Sequence, residues 1–124
     1  MSSSDGVYRD NFHKQLRLFM KDLIKVFPED RDIKLFSSSL NIAIMDDPND
    51  SVMRKFYQSF SSCESYIETR DERLFYNQII QSDMELISHL GKYWNQLNIE
   101  NKEVVWNYLN VLYLLCKSFF VQKK

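Results

Sequence analysis

Two histidines and two cysteines are the side chains with which this chain of 124 residues could hold a metal or attack a substrate. His13 and His89 each lack a second histidine or cysteine at the four-residue spacing that zinc-binding helices use. Cys63 and Cys116 lie far apart in the sequence and fall on apolar helix faces, which is typical of reduced, buried thiols. We therefore predict no catalytic residue, no metal site and no cofactor, and the sequence gives no sign of a small-molecule substrate.

Asp83 is the acidic residue with the most unusual position. If residues 72–95 form one helix, Asp83 projects from the middle of an apolar face, where a carboxylate without a partner is costly. If one helix instead ends near Gln81, the run Ser82-Asp83-Met84-Glu85 matches a capping box that begins a second helix. Both interpretations stay open. The sequence places no second polar group at a fixed position beside Asp83, so we do not predict a catalytic acid there.

Four cations at three- and four-residue spacing form the best candidate binding surface. At about 100° per residue they share one side of a helix, and such a stripe can bind phosphate groups or an acidic partner in a salt-dependent manner. Asp10 and Asp22 lie on the same predicted helix and weaken its field. A lysine-rich polar face is also common on amphipathic helices that bind nothing. The members of this basic stripe are Lys14, Arg17, Lys21 and Lys25.

Large aromatic residues are concentrated in the C-terminal third of the chain. A core of this size need not cover all of them, and a leftover aromatic patch would mark a protein–protein interface. The alternative is simply an aromatic-rich core. The predicted interface residues are Tyr93, Trp94, Trp106, Tyr113 and Phe120.

Composition favours one globular, helical domain. The chain is 44% hydrophobic and 27% charged, and it contains only two glycines and two prolines, fewer than tight turns between strands usually require. The net charge of -1 gives no global attraction to nucleic acid or to an anionic membrane. Because the polar N-terminus lacks the apolar centre of a signal peptide, we expect a cytoplasmic protein. Residues 1–7 are predicted as a flexible tail and residues 8–124 as a single helical domain.

Apolar residues recur at three- and four-residue intervals through most of the chain, which predicts helices. The predicted core faces of the first and third helices are Phe12, Leu16, Phe19, Leu23 and Phe27, and Val52, Phe56, Phe60, Cys63 and Ile67. Pro28 ends the first helix, because proline disfavours helical angles in the preceding residue. Asp47 and Pro48 fit the start of the third helix, and Arg70-Asp71 interrupts the pattern after it. The predicted helices run from about Tyr8 to Phe27, Asp30 to Met45, Pro48 to Glu68, Glu72 to Asn95 as one helix or two, and Asn98 or Asn101 to Val121.

The last of these helices is apolar on nearly every side, which is typical of the buried centre of a bundle or of a membrane span. Asn107, Asn110, Lys117 and Ser118 interrupt the apolar run of about 20 residues that a span requires, so the sequence argues against a membrane. We therefore predict an all-α fold, a compact bundle of five to six helices packed around a hydrophobic C-terminal helix.

Two stretches of the sequence carry a resemblance to viral proteins. One is Phe19–Glu29 (FMKDLIKVFPE), and the other combines Trp94–Leu97 with Glu100–Lys102 and Val105–Leu109. With its low glycine content, the chain resembles small uncharacterised helical proteins of nucleocytoplasmic large DNA viruses, the giant viruses. The resemblance implies a viral origin and a location in the host cytoplasm or the virion. Because those viral proteins have no assigned activity, it implies a role for no particular residue.

The sequence therefore predicts a non-enzymatic helical module for protein–protein interaction or assembly, with a protein partner or a second copy of itself. The viral resemblance would make it a structural or virus-factory protein. A first alternative is a nucleic-acid-binding protein that uses the basic stripe. A second is a viral host-modulating helical bundle.

Overall fold

A computed structural model describes residues 3–45, 50–79, 91 and 93–122. Within these ranges the chain is helical and forms no strand, which confirms the predicted all-α fold class. The elements are α1 (Ser3–Val26), α2 (Arg31–Met45), α3 (Ser51–Phe60), a 3-10 turn (Ser61–Cys63), α4 (Glu64–Thr69), α5 (Glu72–Ile79) and α6 (Ile99–Gln122).

The first helix starts earlier than the apolar pattern predicts. It already includes Ser3 instead of starting near Tyr8, so residues 3–7 belong to the helix. The flexibility predicted for residues 1–7 stays a prediction. This stretch contains serines and Asp5, residue types that favour a helix N-terminus, a preference that apolar periodicity does not register. The predicted core stripe of α1 is confirmed. Its buried members include Phe12, Leu16, Phe19 and Leu23.

The turn between α1 and α2 follows the predicted chemistry. The first helix ends at Val26, two residues before Pro28. Asp30 then caps α2, since its Oδ1 accepts the backbone N–H of Ile33 at 3.0 Å. The helix is described as far as Met45, and the residues directly after its predicted end lie outside the described residues.

The third predicted helix is divided by a 3-10 turn. Its predicted apolar face is confirmed, because all five of its members are buried. These are Val52, Phe56, Phe60, Cys63 and Ile67. The division falls at a pair of serines, where Ser61 Oγ donates to the carbonyl of Gln58 at 3.2 Å. Such side-chain bonds compete with the helical ladder. The caps predicted at Asp47 and Pro48 lie outside the described residues.

The corner between α4 and α5 lies at the predicted connection. Arg70 adopts the left-handed conformation (φ 56°), and the backbone N–H of Asp71 donates to the carbonyl of Tyr66 at 2.9 Å. Asp71 Oδ1 accepts the N–H of Leu74 at 3.3 Å and so caps α5. Whether residues 72–95 form one helix or two, and the surroundings of Asp83, lie outside the described residues.

The C-terminal helix α6 packs against α1, α3 and α4, as predicted for a central helix. It begins at Ile99, because Asn98 Oδ1 accepts the backbone N–H of Asn101 at 2.7 Å. One face enters the core. The buried residues on this inner face are Val105, Trp106, Leu109, Leu112, Tyr113, Cys116 and Phe119.

Aromatic rings fill the part of the core between α3, α5 and α6. The ring of Phe75 lies 4.7 Å from that of Trp106 and 5.7 Å from that of Trp94, between centroids. On its other side it stacks on Phe60 at 6.0 Å. Trp94 is fully buried, but its Nε1 donates to Glu72 Oε1 at 2.9 Å, so its polar edge is satisfied.

Candidate interaction surface

Four of the five residues of the predicted aromatic interface are not on the surface. Tyr93, Trp94, Trp106 and Tyr113 are each at most 4% exposed. Phe120 is half-buried, with Tyr57 stacked on it at 5.3 Å and the Arg54 guanidinium over its ring at 5.3 Å. The prediction of a leftover aromatic patch is therefore wrong for the first four residues, for which the alternative of an aromatic-rich core holds. For Phe120 it stays a prediction. Stacked and edge-on ring packing lets this small core accommodate more aromatic volume than we expected.

The basic stripe lies on the outside of α1. All four of its cations are exposed, over about 16 Å of helix. Among the described residues, none of them forms a salt bridge. Asp10, four residues before Lys14, is also exposed and extends the same line with the opposite charge. The structure thus brings the four cations together as predicted, and their binding of any ligand stays a prediction.

Asp22, the other acid of α1, is tied to α6. Its Oδ2 accepts the hydroxyl proton of Tyr108 at 2.5 Å. Burial, together with the Asp22 carboxylate, raises the pKa of Tyr108 to about 12. The Asp22 carboxylate therefore faces α6, and its negative charge only partly offsets the basic stripe.

The exposed face of α6 carries an apolar line that sequence reasoning missed. Its aliphatic side chains are between 41% and 49% exposed although they belong to the most apolar of the described helices. Polar residues, one exposed and one half-buried, occupy the positions between them. We name this line the outer seam; its members are Val104, Asn107, Val111, Leu114, Ser118 and Val121.

The outer seam lies opposite the inner face of the same helix. Its residues alternate at three- and four-residue steps, the spacing by which two helices pack side by side. The inner-face residues have the same spacing but lie about half a turn away. The helix is apolar on nearly every side because it has two apolar faces, one buried and one exposed, and not because it is buried all round. The core covers one face of α6 and leaves the outer seam exposed on the other. Separating the two interleaved sets of apolar residues in the sequence would have revealed the second face.

Charged side chains border the outer seam. Arg70, at the corner after α4, pairs with Glu103 at 2.9 Å and donates to Asn107 Oδ1 at 3.1 Å. Further along α6, Lys117 donates to Glu64 at 2.5 Å, and this hydrogen bond raises the pKa of Lys117. An apolar centre with a polar border is the usual anatomy of a protein–protein interface.

The outer face of α2 is a shorter apolar surface. Leu35, Ile42 and Met45 are 67%, 70% and 81% exposed. Within the described residues they span 35–45. The outer seam spans 104–121 and has aliphatic side chains near both ends and at its centre, so it is the longer of the two described surfaces.

The length and composition of α6 would also allow it to cross a membrane. Residues Ile99–Val121 reach a mean hydropathy of 1.4 over their most apolar window, of which 39% is buried. The core helix of a globular bundle meets the same criterion. Here the buried part is the inner face, and the exposed part includes Asn107, an amide that is costly to place in lipid.

An open cleft of about 210 Å³ lies beside the first residue of the outer seam, between α1 and α6. Phe19, Leu23 and Val105 form its apolar floor, and Asp22 and Lys25 stand among its lining residues. The cleft extends the apolar surface from the outer seam toward the basic stripe. Among the described residues, no three His, Cys, Asp or Glu side chains are grouped so as to hold a metal ion.

No protein-family model matches the chain, no curated protein matches its sequence and no solved structure matches it. Its function must therefore be argued from its own surfaces.

Proposed function

We propose that this chain is a non-enzymatic protein–protein interaction module that binds a helix of its partner along the outer seam. One observation carries the proposal: Val104, Val111, Leu114 and Val121 are exposed at helix-pairing spacing on a helix whose other face is fully used by the core. Contiguous exposed apolar surface with a polar border marks interaction sites.

The inner face makes α6 a rigid support for such a partner. Leu109, Leu112 and Cys116 are at most 1% exposed, so the core holds the helix and its side chains in place. Binding on the opposite face would then require little ordering of this chain, which lowers the entropic cost of association. A partner helix would read the outer seam through anchors at three- and four-residue spacing.

The resemblance to giant-virus proteins supports a role in assembly of the virion or the virus factory. A host-modulating bundle would use the same kind of surface on a host protein. Both stay predictions, as do the viral origin and the cytoplasmic location.

Site-specific photo-crosslinking tests the proposed function. A photoreactive residue replaces Leu114 of the outer seam in one variant and Leu35 of α2 in a matched control, since both leucines are exposed. We expect a discrete protein adduct from position 114 and none from position 35. The adduct should disappear when Val111→Glu is added, because a carboxylate in the apolar contact is unfavourable.

Two results would contradict the proposal. One is the absence of adducts at position 114, both in cells that produce the chain and at high concentration of the purified protein. The other is an identical set of adducts at positions 114 and 35, which would indicate random collisions.

Nucleic-acid binding through the basic stripe is the second candidate function. It is supported by the exposure of four cations on one side of α1, none of which is salt-bridged within the described part of the chain. Replacing Lys14, Arg17, Lys21 and Lys25 with Glu should abolish a salt-sensitive gel shift. Reversal of Arg31, Lys34 and Lys55, which are also exposed, is the control and should leave most of the shift. If the unaltered protein gives no shift at low salt, this candidate is eliminated.

A further inference from the structure

The outer seam has a pattern that fits a second copy of itself. It spans 18 positions from Val104 to Val121, about 27 Å of helix. When two such helices run antiparallel, position 104 of one lies opposite position 121 of the other. Each of the remaining members then also lies opposite a residue of the same polarity. The resulting layers are Val104 with Val121, Asn107 with Ser118, and Val111 with Leu114.

The polar layer is chemically complementary. Asn107 Oδ1 already accepts from Arg70, which leaves the two amide protons of Asn107 as donors. A serine hydroxyl opposite can accept one of them. The apolar layers on either side of this contact would exclude water from it, so the Asn–Ser pair would also fix the alignment of the two helices.

The helix dipoles favour the antiparallel direction over the parallel one. At the N-terminal end of α6, Lys102 lies between the exposed Glu100 and Glu103, and Glu103 pairs with Arg70. Near the C-terminal end, Lys117 pairs with Glu64. Most of these charges therefore have partners within the same chain and leave the direction to the dipoles. Antiparallel pairing opposes the two helix dipoles, whereas parallel pairing would align them.

We propose that the partner of the outer seam is a second copy of this chain, bound antiparallel about a twofold axis near residues 112–113. The inference rests on the proposed function and specifies its partner. A single helix pair of this length is a small interface, so the dimer is weak, with a micromolar dissociation constant. Each copy contributes the same surface, so the assembly closes at two.

Sedimentation equilibrium over a concentration series tests the dimer. The unaltered protein should pass from monomer to dimer in the micromolar range. The Val111→Glu/Leu114→Glu variant should raise the dissociation constant about tenfold or more, because it places four carboxylates in one apolar contact. Leu35→Glu, the same kind of change on α2, should leave the dissociation constant unchanged. Circular dichroism should show that both variants keep their helix content.

Cysteine crosslinking tests the direction of the pair. A mixture of Val104→Cys and Val121→Cys chains, one of them tagged, should form a disulfide-linked heterodimer under mild oxidation. Val104→Cys alone should not crosslink, because its two copies would lie about 26 Å apart along the helices. Cys63 and Cys116 are both buried, so the unaltered protein supplies a low background.

Each other result overturns the inference. A monomer at millimolar concentration excludes the second copy, while a specific adduct at position 114 would still support the proposed function with a different partner. A dimer that survives Val111→Glu/Leu114→Glu uses another surface, and self-crosslinking of Val104→Cys indicates parallel helices. A monomer that instead sediments with phosphatidylcholine vesicles, and loses this binding in the same double variant, assigns the outer seam to lipid.

Discussion

The two thiols of this chain are held as neutral groups by the core. Cys116 is fully buried on α6, and its Sγ contacts the carbonyl oxygen of Met53 at 3.7 Å. Burial raises the pKa of Cys116 well above its ordinary value of 9.0, and it raises the pKa of Cys63 as well. Thiolates are the reactive form of cysteine, so both residues should react slowly with thiol reagents while the chain is folded.

Alkaline pH should therefore destabilise the fold. Above about pH 9 the unfolded chain releases the Cys116 proton while the folded chain retains it, so the free energy of unfolding falls by at most about 1.4 kcal/mol per pH unit for this group. Tyr108 adds to the decline between its ordinary pKa of 10 and its raised value of about 12. Urea unfolding at several pH values from about 7 to about 10 measures the slope.

Cys116→Ala is the informative variant for this effect. It should lose about 1 kcal/mol of stability near neutral pH, because it removes a buried side-chain atom, yet it should show a shallower decline above about pH 9. Equal slopes in the variant and the unaltered protein would show that Cys116 is not the group responsible.

Residue types alone predicted the environment of the cysteines but not that of the tryptophans and tyrosines. A thiol on an apolar helix face has few alternatives to burial, so Cys63 and Cys116 follow from their positions. An aromatic side chain is stable in a core or at an interface. The choice for Trp94 depends on long-range neighbours such as Phe75 and Glu72, which local sequence does not show.

At the scale of the helices, Arg9 of α1 connects α1 with the start of α3 through an ion pair and with α6 through a ring contact. Asp50 precedes α3 in the left-handed conformation (φ 54°) and is buried. Its carboxylate accepts hydrogen bonds from Arg9 Nε at 2.5 Å and from Arg9 Nη2 at 3.3 Å, so the Arg9 side chain of α1 holds the start of α3. The same guanidinium lies 5.6 Å from the centroid of the Phe119 ring on α6. Loss of this pair should loosen the contact of α3 with α1.

Asp50→Asn should lower the free energy of unfolding by about 1–3 kcal/mol, because it removes the negative charge that faces Arg9. Asparagine tolerates the left-handed conformation, so the change isolates the charge from backbone strain. A double-mutant cycle with Arg9→Met, followed by urea unfolding, measures the coupling. We expect Asp50→Asn to cost less when Arg9 is already replaced; strictly additive losses would mean that the two side chains stabilise the fold independently.

Helix boundaries were predictable where a local signal sets them. Pro28 and Asp30 fixed the turn after α1, and Asn98 fixed the start of α6, because each of these residues acts on its own neighbours. The 3-10 turn at Ser61–Cys63 was not predicted. The apolar face of this segment continues through the turn, so periodicity predicts one uninterrupted helix. Ser61 Oγ divides that helix because it competes for the carbonyl of Gln58.

At the scale of the whole molecule, the order of the helices and the central place of α6 followed from the sequence. Apolar periodicity identified the core face of α1 and of the segment from Val52 to Ile67, and those residues are buried. The location of the outer seam did not follow. The sequence shows how apolar α6 is, but which of its two faces the other helices cover depends on their positions in space.

The two faces of α6 are under different constraints. A change at Leu109 or Leu112 opens a void among close-packed neighbours, whereas a change at Val111 or Leu114 meets solvent and should alter folding stability by no more than about 0.5 kcal/mol. Substitutions on the exposed face of α6 can therefore change its surface chemistry without destabilising the core that the opposite face helps to form. Among chains related to this one, the buried positions of α6 should therefore change slowly and the exposed positions faster.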